Sequence, residues 1–173
     1  MIGISRVTLF GKLGGVPYRA IEAATGFARL RGNPYVELAH WLHRLLQEED
    51  ADLAHVARRF GIDVAALVAD VTRALDRLPR GATAVTDFAP HVEEAIERAW
   101  ILATLAFGRD SVRSAHLLLG CLGAPTLRNT LLGISGAFGR IGEAELSRDL
   151  DAILAGSCES VPAHAAQDAA AAA

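Results

Sequence analysis

The sequence predicts an all-α fold built from a tandem repeat, and three observations carry that prediction. The segment Ala39-His40-Trp41-Leu42 reappears downstream as Ala115-His116-Leu117-Leu118. Alanine is abundant, strand-type alternation is absent, and proline stands only at segment ends. The chain has 173 residues, 51% of them hydrophobic, which is enough to bury a sizeable core. We expect two four-helix units related by a pseudo-twofold axis, with almost no strand.

The first two helices of each copy are defined by their matching apolar positions. Helix 17–31 corresponds to helix 90–107 with an offset of 75 residues, as in Ile21 and Ile96 (96 − 21). Helix 36–48 corresponds to helix 111–122 with an offset of 76 residues, as in His40 and His116 (116 − 40). We attribute the additional residue to a longer linker in the second copy.

Each copy continues with a third and a fourth helix, predicted at 51–60 and 63–78 in the first copy and at 126–132 and 143–154 in the second. Asp63 and Ser111 are the expected N-caps of the helices that they precede. A short helical turn over 135–140 is left open, because Gly136 and Gly139 disfavour it.

One segment stands outside the repeat. A short helix at 5–13 has no counterpart in the second half of the chain. The predicted organisation is a domain over 1–157, divided into the extra helix 5–13, repeat one 17–79, a connection 80–88 and repeat two 89–155. Residues 158–173, ending in five alanines, are expected to be a linker or disordered tail of a longer protein.

The charge and hydropathy of the chain argue against nucleic acid and membranes as binding partners. The net charge is -3, and the 17 basic residues are scattered rather than grouped into a phosphate-binding stripe, so we expect no nucleic acid. No apolar run approaches the roughly 20 residues of a membrane-spanning helix, and no signal peptide is recognisable. We expect a cytoplasmic protein without membrane insertion, in which Cys121 and Cys158 stay reduced.

No catalytic constellation emerges from the residues. Glu37, His40 and His43 have a spacing that could bind a metal ion, but the second copy keeps only His116. A structural role fits better: His40 and His116 would each bond nearby backbone or a helix end. Gly11-Lys12 lacks the remaining residues of a phosphate loop. We therefore predict no catalytic residues, no metal and no cofactor in this chain.

The repeat resembles the N-terminal domain of the Clp unfoldases, which carries no ATPase site. Four segments are more specifically similar to the branch called ClpV or TssH, the AAA+ ATPase of bacterial type VI secretion: residues 9–13, 30–37, 75–83 and 127–135. The extra first helix is also a feature of that branch. The resemblance covers residues 5 to about 155.

The resemblance implies a binding function. ClpV-like domains bind an N-terminal helix of the sheath subunit VipB, also called TssC, so that the attached ring can disassemble the contracted sheath. ATP and Mg²⁺ would then belong to ATPase modules absent from this chain. The isolated domain would be a monomer and the parent protein a hexamer in the bacterial cytoplasm. The alternative is a general Clp-type domain that docks adaptors or unfolded segments.

A bound peptide helix requires an apolar groove that accepts side chains at one-turn spacing. The predicted groove residues come from the first helix, the second helix and the inter-repeat connection: Leu9, Phe10, Leu13, Ala20, Ala23, Ala24, Phe27, Val85 and Phe88. Phe10 and Leu13 could equally cover the core. Phe27 has a partner of the same helical phase in Leu102, which favours the core for that residue.

Overall fold

The computed structural model describes residues 3–160 and confirms the all-helical repeat. A short helix, α1 (Arg6–Phe10), precedes the first copy. The first copy contains α2 (Gly15–Leu30), α3 (Leu38–Leu45), α4 (Asp52–Arg59) and α5 (Val64–Asp76). The second contains α6 (Pro90–Ile101), α7 (Ser114–Leu122), α8 (Pro125–Ile134), α9 (Glu143–Arg148) and α10 (Leu150–Ile153). A 3₁₀ turn, Gly136–Arg140, occupies the segment that the sequence left open.

Two very short parallel strands connect the copies. β1 (Tyr35–Val36) pairs with β2 (Asp87–Phe88), and Val36 lies opposite Phe88. This pairing attaches the end of the inter-repeat connection to the first copy. Phe88 thereby lies next to Phe10 of α1.

The start of α7 corrects one prediction. Ser111 is not the N-cap, because α7 begins at Ser114 after Arg113. Val112 is extended instead: its N–H donates to the Lys12 carbonyl at 2.8 Å, and its carbonyl accepts from Gly14 N–H at 2.8 Å. Asp63 does cap α5, since its Oδ1 accepts from Ala65 N–H at 3.0 Å.

Small residues allow the central helices of each copy to pack closely. Ala24 and Ala28 of α2 are fully buried, as are Ala99 in α6 and Ala103 in the turn after it. Gly120 of α7 faces the backbone of α6, where an added Cβ would lie 3.0 Å from Ala99 N. The apolar stripes thus bury the α2–α3 and α6–α7 contacts in one continuous core.

The difference between the 75- and 76-residue offsets arises inside a helix and not in the linker. Residues Leu102–Ala106 form a π-helical turn that continues α6. Asn33 N–H donates to the Ala28 carbonyl in the first copy, and Arg109 N–H donates to the Ala103 carbonyl in the second. The equivalent bond therefore spans one more residue in the second copy. A π turn accommodates such an additional residue without displacing the helices that follow.

The C-terminal end of the fold differs from the predicted boundary. The helix expected over 143–154 is divided at Asp149 into α9 and α10. Beyond it, Cys158–Ser160 forms a 3₁₀ turn that is hydrogen-bonded to both copies, so the folded part reaches at least Ser160. The remainder of the predicted tail, residues 161–173, lies outside the described residues.

Within residues 3–160, no single helix is both long and apolar enough to cross a membrane. Together α7 and α8 reach that length and composition, but they are bent by 109° at the break between them.

Candidate binding groove

A groove of about 440 Å³ lies between α1, α2 and β2. The lining comes from α1 and the residue after it, from one face of α2, and from Phe88 of β2. The lining residues are Arg6, Val7, Phe10, Gly11, Tyr18, Ile21, Glu22, Thr25 and Phe88. Because the lining is mainly apolar with charged groups at its edge, the groove suits a partly apolar ligand.

Two aromatic rings in the groove lining pack against each other. The ring centroids of Phe10 and Phe88 lie 5.0 Å apart with a tilt of 55°. Both side chains are half-buried and pack against the hydrophobic core. Val7 lies one turn before Phe10 and is 85% exposed, so an apolar side chain faces solvent beside the aromatic pair.

Arg6 holds α1 against the second copy. Its Nη1 donates to Asp87 Oδ1 at 2.7 Å, and its other terminal nitrogen pairs with Glu93 of α6. The guanidinium also lies 5.6 Å from the Phe88 ring centroid. The hydrogen bond from Arg6 is the largest cause that lowers the pKa of Asp87, followed by the bond from Phe88 N–H. Of the two charged residues that line the groove, Arg6 is therefore paired with carboxylates of the domain itself. Glu22 has no ion-pair partner within residues 3–160.

The structure brings only Phe10 and Phe88 of the predicted residues into the groove. Four others are buried in the core and do not line it: Leu9, Leu13, Ala20 and Ala24. Ala23, Phe27 and Val85 are partly buried outside it. The alanine face of α2 is the one that packs on α3, since small side chains permit the close approach of the two helix backbones.

Phe27 belongs to an aromatic contact between α2 and α3. Its ring stacks on the His43 ring at a centroid distance of 4.6 Å and meets the His40 ring edge-on at 6.1 Å. The guanidinium groups of Arg31 and Arg44 lie 5.5 and 5.9 Å from its centroid. This environment agrees with the core interpretation that the sequence favoured for Phe27.

Sequence reasoning missed seven lining residues: Arg6, Val7, Gly11, Tyr18, Ile21, Glu22 and Thr25. A signal for some of them was present, because 18, 21, 22 and 25 follow helical spacing along one face of α2. That face carries a tyrosine, a glutamate and a threonine among its members, which is typical of a surface that meets both solvent and ligand.

The two repeat histidines have structural roles. His40 Nδ1 accepts from Glu37 N–H at 2.9 Å, and His116 Nδ1 accepts from Arg113 N–H at 3.0 Å. The same bond therefore closes the first turn of α3 and of α7. On the other side of the ring, His40 Nε2 lies 2.9 Å from Asn33 Oδ1. Both ring nitrogens of His40 are occupied, which removes it from a metal-ligand set.

Burial keeps both histidines neutral. Desolvation is the largest cause that lowers the pKa of His40 to about 4, and it does the same for His116, also to about 4. An Nδ1 atom that accepts a backbone hydrogen bond must be unprotonated. Across residues 3–160, no group of three or more His, Cys, Asp or Glu residues could hold a metal ion.

A family model described as "Clp repeat (R) N-terminal domain" matches residues 18–132. The chain belongs to this family. The AAA+ ATPase ClpV1 of Pseudomonas aeruginosa is 51% identical to this Clp domain over 159 residues. Those residues are 92% of this chain but only 18% of ClpV1.

Solved structures agree with the family and with its ClpV branch. A chain from work on the coevolution of the ATPase ClpV, the TssB-TssC sheath and the HsiE protein is 51% identical, with a TM-score of 0.89. The match covers 92% of this Clp domain and 98% of that chain. A complex of a ClpV N-domain with a VipB peptide is 26% identical with a TM-score of 0.78, covering 92% and 97% of the two chains.

Proposed function

We propose that this Clp domain recognises an N-terminal helix of the type VI sheath subunit VipB/TssC, so that its parent ring can disassemble contracted sheath. The groove between α1, α2 and β2 carries the proposal, because α1 is the element that the repeat does not explain and it forms one groove wall. The similar ClpV N-domain with a bound VipB peptide supports the same ligand class.

The dimensions and chemistry of the groove fit an amphipathic helix. Its 440 Å³ falls within the range of about 300–1,000 Å³ that is usual for ligand sites. The aromatic pair and exposed Val7 offer apolar contact for side chains at one-turn spacing. A single short helix buries little surface, so the affinity of one domain is expected to be about micromolar or weaker.

The remaining parts of the proposal concern the parent protein. Hexamerisation, ATP and Mg²⁺ are assigned to ATPase modules outside this chain, and the isolated domain is assigned as a bacterial cytoplasmic monomer that binds without hydrolysing nucleotide. Several copies of the domain in one ring would raise the effective affinity for a sheath that presents many identical helices.

The test is a fluorescence titration of residues 1–173 with a labelled N-terminal VipB/TssC peptide. Val7→Glu is the informative variant, because Val7 lines the groove yet is 85% exposed, so the fold should tolerate the change. Leu30→Glu is the matched control, since Leu30 is 86% exposed and does not line the groove. We expect at least about a tenfold loss of affinity for Val7→Glu, equivalent to one desolvated apolar contact, and none for Leu30→Glu.

Two outcomes would redirect the proposal. Equal binding of the wild type and Val7→Glu would place the peptide elsewhere on the domain. Binding of an unrelated unfolded protein as tightly as the sheath peptide would favour the alternative, a general Clp-type domain for adaptors or unfolded segments.

A further inference from the structure

We propose that residues 157–160 form a proton-controlled clasp, which holds this C-terminal turn against α4 and α7 and loosens when Glu159 becomes ionised. The clasp joins this C-terminal turn to the starts of two helices from different copies, and Arg113 Nη2 adds a bond to Ser160 Oγ at 3.2 Å. None of its residues lines the groove, and the proposal does not depend on peptide binding.

The Glu159 carboxyl group connects the two helices. Its Oε2 accepts from Asp52 N–H at 2.8 Å, at the start of α4. Its Oε1 accepts from Ser114 N–H at 3.0 Å and from Ser114 Oγ–H at 2.9 Å, at the start of α7. One side chain therefore satisfies backbone donors from both copies of the repeat.

A second carboxylate lies beside Glu159. Asp52 is fully buried, and its Oδ1 accepts from Arg113 Nη2 and from Ser157 Oγ, both at 2.6 Å. Its Oδ2 accepts from Arg113 Nε at 3.0 Å and from Ala115 N–H at 3.3 Å. The turn is closed by Cys158 N–H, which donates to the Asp50 carbonyl at 2.9 Å.

The charges around the clasp do not balance. Arg113 is the one cation bonded to the pair within residues 3–160, and it forms its ion pair with Asp52. The other charged or titratable groups near the clasp and its two helices are Glu48, Asp50, His55, Arg109, His116 and Asp151. Glu159 accepts from the backbone N–H of Asp52, so its carboxyl group is buried close to a second carboxyl group, and the one bonded guanidinium is already paired with Asp52. Such an arrangement favours a proton on the carboxyl group that has no cation of its own.

Glu159 is the carboxyl group that takes this proton, and its protonated Oε1 then donates to Ser114 Oγ, 2.9 Å away, because a hydroxyl group can accept as well as donate. Burial first, and then the charge of Asp52, raise its pKa to about 7, although the bonds from Ser114 and Asp52 act in the opposite direction. A raised acid pKa means that the stabilising contribution is complete below pH 4.5, declines as pH rises, and is lost above pH 7. The clasp should therefore be tighter at pH 6 than at pH 8.

Hydrogen exchange of the amides at Asp52, Ser114 and Cys158 tests the proposal directly. After correction for intrinsic exchange, protection at these amides should fall about tenfold between pH 6 and pH 8, because one pH unit of differential ionisation is tenfold in the opening equilibrium. Amides of α2, which do not contact the clasp, serve as the internal reference. Unchanged wild-type protection at the three amides would overturn the proposal.

Glu159→Gln separates the charge from the structure. Glutamine cannot ionise and keeps one acceptor oxygen, which can serve only one of the two backbone donors. Protection in this variant should therefore be lower than in the wild type at pH 6, but it should not depend on pH between 6 and 8. Glu97→Gln, an exposed position on α6, is the matched control and should behave as the wild type. If Glu159→Gln fails to fold, the ¹³C titration of the wild-type Glu159 carboxyl decides: a midpoint near 7 supports the clasp, and one near 4.5 overturns it.

Discussion

The ring of Phe10 lies 5.0 Å from the ring of Phe88, between centroids, and thereby joins the unrepeated first helix to the strand between the repeats. This contact and the ion pairs of Arg6 act together with buried Leu9 and with the bonds of Lys12 and Gly14 to Val112, which hold the same segment against the second copy. The pair is therefore part of the groove and part of what positions it.

A double-mutant cycle should detect the contact between the two rings. Phe10→Leu and Phe88→Leu keep apolar side chains but remove the aromatic geometry, and we expect a coupling of about 0.5–1.5 kcal/mol in the free energy of unfolding. Urea denaturation of the two single variants and the double variant gives this value. Additive effects would show that the rings pack without a specific interaction.

Substitution of Gly120 should disturb the contact between α6 and α7. A Cβ there would lie 3.0 Å from Ala99 N and 3.1 Å from Arg98 Cβ, so Gly120→Ala should cost about 1–3 kcal/mol of unfolding free energy. Gly26 in α2 is the matched control, because nothing lies within 4 Å of its added Cβ. Gly26→Ala should stabilise by about 0.5–1 kcal/mol, since alanine is the better helix former.

The neutral histidines should make stability depend on acid pH. The pKa of each of His40 and His116 is lowered from 6.5 to about 4, so their contribution is complete above pH 6.5 and declines as pH falls towards 4. Each could contribute about 3 kcal/mol to this decline. His116→Asn keeps an acceptor near Nδ1 but cannot titrate.

The measurement is the difference in unfolding free energy between the wild type and His116→Asn at each pH. This difference removes the opposing contribution of Glu159, whose pKa is raised to about 7. We expect the wild type to lose more stability than the variant between pH 6.5 and 4.5. Parallel curves would mean that His116 is not the titrating group.

Removal of one residue from the π turn should be tolerated. Leu105 is 80% exposed within Leu102–Ala106, and its deletion would convert the turn to the ordinary helix seen at the same place in the first copy. Deletion of Leu30, the residue 75 positions earlier and 86% exposed, is the control. The melting temperature should fall more for the Leu30 deletion, because α2 contains no π turn that could absorb the loss of one residue. An equal loss would contradict the insertion model.

The repeat and the all-α class could be predicted from the sequence because each copy has apolar residues at helical spacing. Because apolar positions match between the two copies, each predicted helix in one copy supported its counterpart in the other. The shared histidine position indicated a structural role, and His40 and His116 both have one. Helix ends were less predictable. Ser111 is a good N-cap residue, but bonding of Val112 to the Lys12–Gly14 segment overrides that local preference.

The groove could be predicted only in part. The alanines of α2 fit a groove floor and a close helix contact equally well, and a single sequence does not reveal which face meets α3. Phe10 was proposed because it lies on the unrepeated first helix and Phe88 because it lies near the inter-repeat connection, and both line the groove. Tyr18 and Glu22 were missed because an isolated polar or aromatic position on a helix is ordinary on any surface.

The sequence by itself determined the repeat, the helical class and the two structural histidines, since these depend on local periodicity within each copy. Only the tertiary structure decided which face of α2 is free, where the additional residue of the second copy resides, and that Glu159 meets Asp52 and Ser114. Those relationships join residues up to 107 positions apart. They depend on how whole helices pack, which no local pattern encodes.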